Sequence, residues 1–191
     1  MSIFIIAEIG INHNGDLATC KKLIDAAKDA KCDAIKLQKR DIDVVYGKEF
    51  LDQARESPWG KTQRDQKEGL EFNFDQYKEL KSYSEKKNID FFASAWDIDS
   101  QLFLRKLNIK YNKVASPMLG HKPLLKEIAS EKKKTFISTG MSTLEEIEKV
   151  VEIFRKSSCP FELMHCNSTY PLNDTDANLN CILELKNKFK C

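Results

Sequence analysis

The chain has 191 residues, 41% hydrophobic and 31% charged, enough to bury one sizeable core. Lys+Arg number 31 and Asp+Glu 29, so a net charge of +2 gives no electrostatic footing for nucleic acid or an anionic membrane. The longest apolar runs are too short to cross a bilayer, and the N-terminus has neither the basic start nor the cleavage site of a signal peptide, so the expected location is the cytoplasm.

The elements follow in chain order. IFIIA (3–7) reads as a strand that ends at Glu8 and turns through Asn12, His13, Asn14 and Gly15. Leu17, Leu23, Ile24 and Ala27 then share one helical face. AIKLQ (34–38) is the second strand. The step from there to DFFASA (90–95) spans 56 residues, longer than any other. Its extra length, residues 40–72, is either a lid, binding loop or contact surface, or a solvated excursion. Pro58, Trp59 and Gly60 in its middle favour a fixed shape.

Helical periodicity near 75–86 leads into DFFASA, and a further helix is expected near 99–107. YNKVAS (111–116), a helix near 122–130 and TFISTG (135–140) continue the alternation. Leu144, Ile147, Val151 and Phe154 mark the next helix, with Ser142 and Glu145 as its capping box. FELMHC (161–166) and a helix over 177–190 close the series. The strands are apolar on both faces, which suits a parallel sheet covered on both sides.

Six βα units allow a doubly wound sheet or a (β/α)8 barrel. Polar residues gather at the C-terminal end of nearly every strand: Glu8, Lys36 and Gln38, Ser94, Lys113 and Ser116, Ser138 and Thr139, then Asn167, Ser168 and Tyr170. A barrel gathers all its strand ends around one mouth, whereas a doubly wound sheet uses mainly those at its switch point. No G-x-G-x-x-G follows the first strand. The expected class is therefore α/β, an incomplete (β/α)8 TIM barrel with six units present.

Lys36 and Lys113 each interrupt an apolar or small-residue strand. With the hydroxyls of Ser116 and Ser138 and nearby backbone N–H groups, they suit a small phosphorylated or carboxylated anion. Glu8 suits sugar hydroxyls or proton movement, and Tyr170 offers a flat wall. The structural alternatives are snorkelling lysines and an internal Glu8–lysine pair. His13 reads as a turn residue and His121 stays unassigned. His165 and Cys166 point to opposite faces of a strand, so no metal ligand is assigned. The six cysteines, at 20, 32, 159, 166, 181 and 191, form no C-x-x-C and read as reduced thiols.

Four stretches, "AEIGINHNGDLATCKKLIDAAKDAKCDAIKLQ", "YNKVAS", "FISTGMSTLEEI" and "LMHCNSTYPLNDTDANLN", together resemble the sialic acid synthase family, in order and over nearly the whole chain. The resemblance implies a TIM barrel that condenses phosphoenolpyruvate with an N-acylated hexosamine such as N-acetylmannosamine, giving a nonulosonic acid and phosphate. It also implies a divalent metal, manganese or magnesium, that polarises the sugar aldehyde. By the same resemblance Glu8 contacts the sugar and does acid/base work, and Lys36 and Lys113 hold phosphoenolpyruvate. Ser116 and Ser138 are hydroxyl partners of that anion, Asn167 and Ser168 lie beside its phosphate, and Tyr170 lies near the sugar.

Two features depart from the pattern. Met118 stands where some members carry a glutamate near the sugar, which leaves the acceptor open among N-acetylmannosamine, its 6-phosphate and bacterial diamino-sugars. The Trp59-containing insertion also suggests a distinct subgroup. With six units of eight, residues 1–191 read as the N-terminal part of a synthase domain. The remaining barrel units, the two metal-binding histidines and the C-terminal domain of the family's homodimer are expected outside this chain, which alone is expected to have little or no activity. The alternatives are a catalytically inactive partial barrel that binds a sugar, phosphate or partner, and a Schiff-base aldolase using Lys113 or Lys36.

Overall fold

The computed structural model describes residues 3–190, so Cys191 of the sequence reading lies outside the described residues. The chain divides into two compact units, residues 1–110 and 111–191. Each is built from parallel strands alternating with helices.

The first unit runs β1 (Ile6–Gly10), α1 (Leu17–Asp29) and β2 (Ala34–Lys39). An insertion follows: α2 (Ile42–Val45), α3 (Lys48–Leu51), the hairpin β3 (Ala54–Ser57) and β4 (Gly60–Thr62), and α4 (Gln63–Gly69). The unit closes with α5 (Phe74–Lys86), β5 (Asp90–Ala95) and α6 (Ile98–Lys106). β2 pairs in parallel with β1 on one side and β5 on the other. Ile24, Ile35, Leu37, Tyr77, Leu80 and Leu104 are buried in its core.

The second unit runs β6 (Asn112–Val114), a 3-10 turn (Ser116–Met118), α7 (Lys122–Ser130), β7 (Thr135–Ser138), α8 (Leu144–Lys156), β8 (Phe161–Met164), a second 3-10 turn (Asp174–Asp176) and α9 (Asn180–Phe189). β7 pairs in parallel with β6 and β8. Leu124, Leu125, Ile128, Ile137, Val151 and Phe154 fill its core.

A shared device sets the rhythm. α1, α5, α6, α7 and α8 are each followed, one residue past the C-cap, by a residue at positive φ: Lys31, Asn88, Asn108, Lys132 and Ser158. A left-handed residue there ends the helix and turns the chain into the next strand. At the other end, Asp16, Asn73, Asp97 and Thr143 accept a backbone N–H of their helix's first turn.

Three expectations shift. The first strand is Ile6–Gly10 rather than 3–7, and Ile3, Phe4 and Ile5 are 83%, 40% and 49% exposed. The reason is register: β2 begins at Ala34, opposite Ile6, so earlier residues have no partner strand. Glu8 therefore sits within β1, opposite Lys36, rather than at its end. The capping box moves by one residue, to Thr143 and Glu146. The Ser142 hydroxyl instead donates to Gly140 O at 3.2 Å.

The 40–72 segment is a packed structure, not a solvated excursion. A Cβ on Gly15 would lie 2.0 Å from Gly69 O, and one on Gly69 only 2.1 Å from Trp59 Cγ. Trp59, Gly69 and Gly15 thus stack, which clamps the insertion to the loop after β1. Beside them His13, only 2% exposed, stacks on Phe72 at 4.2 Å and accepts the Gly15 N–H through Nδ1 at 3.1 Å.

Burial lowers the His13 pKa from 6.5 to about 4, against an upward pull from Glu71. The unfolded state thus binds a proton below pH 6.5 that the folded state refuses until about pH 4. Stability is expected to fall as pH drops through that window, by roughly 3 kcal/mol in all. Urea melts at pH 7 and 4.5 check this: His13→Gln should flatten the difference, and an equal fall in both proteins would place the effect elsewhere.

Candidate functional site

The first unit builds one polar group on a strand face. Alternation along β2 places Lys36 and Gln38 on the same side, away from Ile35 and Leu37. Lys36 is 6% exposed, and its ammonium lies 2.8 Å from Glu8 Oε2 and donates to Ser94 Oγ at 2.7 Å. An ammonium so enclosed is tolerable because those acceptors replace water. Glu8 keeps its side chain about half exposed (52%), so this pair is not sealed and the carboxylate can meet a ligand. Gly10 matters here twice. Its φ of +56° disfavours any side chain, and a Cβ there would come within 3.0 Å of Glu8 Oε1 and 3.5 Å of Gln38 Nε2.

The second unit builds another. Lys113, 7% exposed on β6, donates to Ser138 Oγ at 2.5 Å and Val114 O at 2.6 Å. Ser116 Oγ accepts the Gly140 N–H at 3.1 Å. A Cβ on Gly140 would meet Ser168 Oγ at 2.8 Å, Ser116 Oγ at 2.9 Å and Cys166 O at 3.1 Å. The bare glycine therefore leaves a small recess on which two hydroxyls converge, near the strand end that holds Lys113 through Ser138. Hydroxyls, a backbone N–H and a lysine are the donor set for a compact oxyanion.

The predicted residues thus fall in two places. Glu8 and Lys36 meet in the first unit, and Lys113, Ser116, Ser138 and Ser168 gather in the second. Asn167 is committed to its loop, with Nδ2 donating to Asp176 O at 3.0 Å and Oδ1 accepting from Thr169 N at 2.9 Å. Tyr170 is 100% exposed among the described residues. His121 turns out to cap α7, accepting from Leu124 N through Nδ1 at 3.1 Å. His165 Nε2 lies 2.8 Å from Ala177 O, fastening the loop before α9.

Sequence reasoning missed Gly140 and Gly10. Gly10 is the last residue of β1 and Gly140 lies two residues past β7, and a glycine at a strand end is the visible sign of close approach, yet only the fold names what approaches. Five cysteines, at 20, 32, 159, 166 and 181, are free, and burial pushes the Cys20 thiol up to about 12. Such a thiol packs as an apolar group and is unreactive.

A divalent metal does not fit the described residues. No three His, Cys, Asp or Glu side chains converge among them, so no step is derived through a metal. No helix of these residues is long and apolar enough to cross a membrane.

Known proteins are similar to this chain in sequence and in fold. The NeuB family model matches residues 23–191. An N-acetylneuraminate-9-phosphate synthase of Drosophila melanogaster is 41% identical over 98% of this chain and 51% of its own length. An N,N'-diacetyllegionaminic acid synthase of Campylobacter jejuni is 34% identical, over 97% of this chain and 58% of that protein. Among solved structures, an N-acetylneuraminic acid (sialic acid) synthetase from Leptospira borgpetersenii, crystallised with citrate, superposes with a TM-score of 0.88 at 36% identity, covering 98% of this chain and 62% of that one. The chain spans about half the length of the curated relatives it matches. With most of its length matched by the family model and its α/β fold shared with a sialic acid synthetase, the chain belongs to the NeuB family.

Proposed function

We propose that this chain carries the phosphoenolpyruvate-binding residues of a synthase that joins phosphoenolpyruvate to an N-acylated hexosamine, forming a nonulosonic acid of the sialic type and releasing phosphate. The carrying observation is the Gly140 recess, with Ser116 and Ser168 converging on it and Lys113 fixed nearby by Ser138. Family membership supplies the reaction class; the recess supplies a place for its anion.

In this reading Lys113, Ser116, Ser138 and Ser168 hold the phosphate or carboxylate of phosphoenolpyruvate. Lys36, held by Glu8 and Ser94, is the cation that the first unit offers an anion. C3 of the enol attacks the sugar aldehyde carbon, water adds at C2, and inorganic phosphate leaves. Glu8 hydrogen-bonds the acceptor sugar and moves a proton at its oxygen, a role its half-exposed carboxylate permits. The parent protein is proposed to act in the cytoplasm as a homodimer; any manganese or magnesium it uses would be held by residues other than those described, which offer no ligand set.

Lys113 favours this over a Schiff-base aldolase. Its ammonium spends two hydrogens on Ser138 Oγ and Val114 O, which suits a fixed cation rather than a free amine nucleophile. Borohydride trapping of a substrate adduct would reverse the choice.

Calorimetric titration of the 191-residue chain with phosphoenolpyruvate tests the reading. Lys113→Met should weaken binding at least about tenfold, the loss of one charge-assisted contact. Equal affinity in the variant, once shown to be folded, refutes the assignment. Binding without turnover is expected from this chain with N-acetylmannosamine and manganese, since no metal-ligand set occurs among the described residues. Phosphate release at full rate would refute that part alone.

A further inference from the structure

The second unit holds a cavity of about 500 Å³ beside the first turns of α8 and α9. Thr139, Met141, His165, Cys166, Cys181 and Glu184 border it. β8 ends at Met164, so His165 and Cys166 lie past the strand, where its alternation no longer separates them. Two cysteines from different elements therefore border one space.

These thiols differ from the packed ones. Cys20 and Cys159 are buried, and burial raises the pKa of both. Cys166 and Cys181 are only half-buried, so a small oxidant can reach them. The chain between them is already folded back on itself. His165 Nε2 lies 2.8 Å from Ala177 O, and Asn167 Nδ2 donates to Asp176 O at 3.0 Å. These bonds flank Cys166 in sequence and tie it to the turn that enters α9, where Cys181 is the second residue.

Cys166 also stands between this cavity and the Gly140 recess. Thr139 and Met141 border the cavity, while a Cβ on Gly140 would point at Ser168 Oγ, Ser116 Oγ and, at 3.1 Å, Cys166 O. Thr169 N donates to Asn167 Oδ1 at 2.9 Å, so residues 167–169 form one turn with Ser168 in it. A pull on Cys166 toward α9 draws its carbonyl away from Gly140 and takes Ser168 with it.

We propose that Cys166 and Cys181 are a reversible dithiol that peroxide closes to a disulfide, and that the bridge weakens anion binding at the Gly140 recess. One thiolate attacks hydrogen peroxide, breaks its O–O bond and becomes a sulfenic acid, with release of water. The other thiolate attacks that sulfur, forms the S–S bond and expels hydroxide, which leaves as a second water with the remaining thiol proton. Two electrons pass from the sulfur pair to the peroxide, and a dithiol reductant returns them. The effect on anion binding rests on the phosphoenolpyruvate reading above; the bridge does not.

The 191-residue chain and Cys181→Ser are treated with equimolar hydrogen peroxide and mapped by mass spectrometry without reduction. Cleavage at Glu162 and Asp174 puts Cys159, Cys166 and Cys181 on separate peptides. The wild type should lose two hydrogens and yield the Cys166 and Cys181 peptides joined. In calorimetric titration, oxidation should weaken its phosphoenolpyruvate binding at least about tenfold, and dithiothreitol should restore it. Cys181→Ser should form no bridge and keep its affinity through the same treatment. If that variant fails to fold, Cys166→Ser decides.

A bridge to any other cysteine overturns the proposal, as does oxidation to sulfinic acid with no bridge formed. Equal affinity of the bridged and reduced wild type also overturns it, as does an equal loss of affinity in Cys181→Ser. If the reduced wild type does not bind phosphoenolpyruvate at all, the synthase reading fails, and the peptide map still decides the bridge.

Discussion

Gly140→Ala is expected to abolish measurable phosphoenolpyruvate binding, weakening it at least about 100-fold, while the chain stays folded. The added methyl would stand 2.8 Å from Ser168 Oγ and 2.9 Å from Ser116 Oγ, in the space between the two hydroxyls. Both serines can rotate away, and Gly140 does not sit at positive φ, so the backbone accepts alanine with a small shift at Cys166 O. The fold is therefore spared and the recess is not. Two charge-assisted hydrogen bonds, each worth about 1.5–3 kcal/mol, are lost together with the room for the anion. Titration calorimetry beside a circular-dichroism melt separates the two effects. Unchanged affinity in a folded variant means that the anion binds elsewhere.

Gly15→Ala should give the largest stability loss of any single methyl added to this chain, about 3 kcal/mol or more. Two terms combine. The φ of +68° costs an L-residue about 1–2 kcal/mol, and the new Cβ would sit 2.0 Å from a backbone oxygen, Gly69 O, which has no rotamer to escape through. Either α4 lifts off the loop after β1 or the loop itself shifts, and with it His13 and its stacking on Phe72. Gly69→Ala is milder, about 1–2 kcal/mol, because its Cβ would strike the Trp59 indole, a side chain 37% exposed that can swing outward. Gly47 and Gly120 have nothing within 4 Å of an added Cβ and no positive φ, so alanine there should change stability little. Urea midpoints for the four variants give the order directly. Gly15→Ala falling level with Gly120→Ala would mean that the insertion does not rest on this loop.

These clamps bear on function through the residues they hold. Gly15 ends the turn that β1 feeds, five residues beyond Gly10 and seven beyond Glu8. Glu71 and Phe72 leave the same insertion to meet Arg40 and His13. A loosened insertion is therefore expected to disturb the Arg40–Glu71 pair in the first unit before it touches the Gly140 recess in the second. The two predictions report on separate parts of the molecule.

Much of this protein was legible in its residues. Alternating apolar runs and helical faces located every core strand and helix to within a few residues, because burial on two faces leaves a periodic trace that needs no partner to be seen. Lys36 and Lys113 announced themselves as charges inside apolar strands, and the family was readable from four motifs in order. What lay beyond the sequence were the things set by who sits opposite whom. Register with β2 moved the first strand and put Glu8 across from Lys36. The capping role fell to Thr143 and Glu146, one residue past the expected Ser142 and Glu145. The insertion stood open between a binding or contact structure and a solvated excursion until Trp59, Gly69 and Gly15 were seen stacked, and Gly140 was one glycine among seven until two serines distant in sequence were found pointing at its missing side chain. Periodicity is a local property and survives in one dimension; a recess is made by what a residue lacks and by which neighbours the folded chain turns toward the gap.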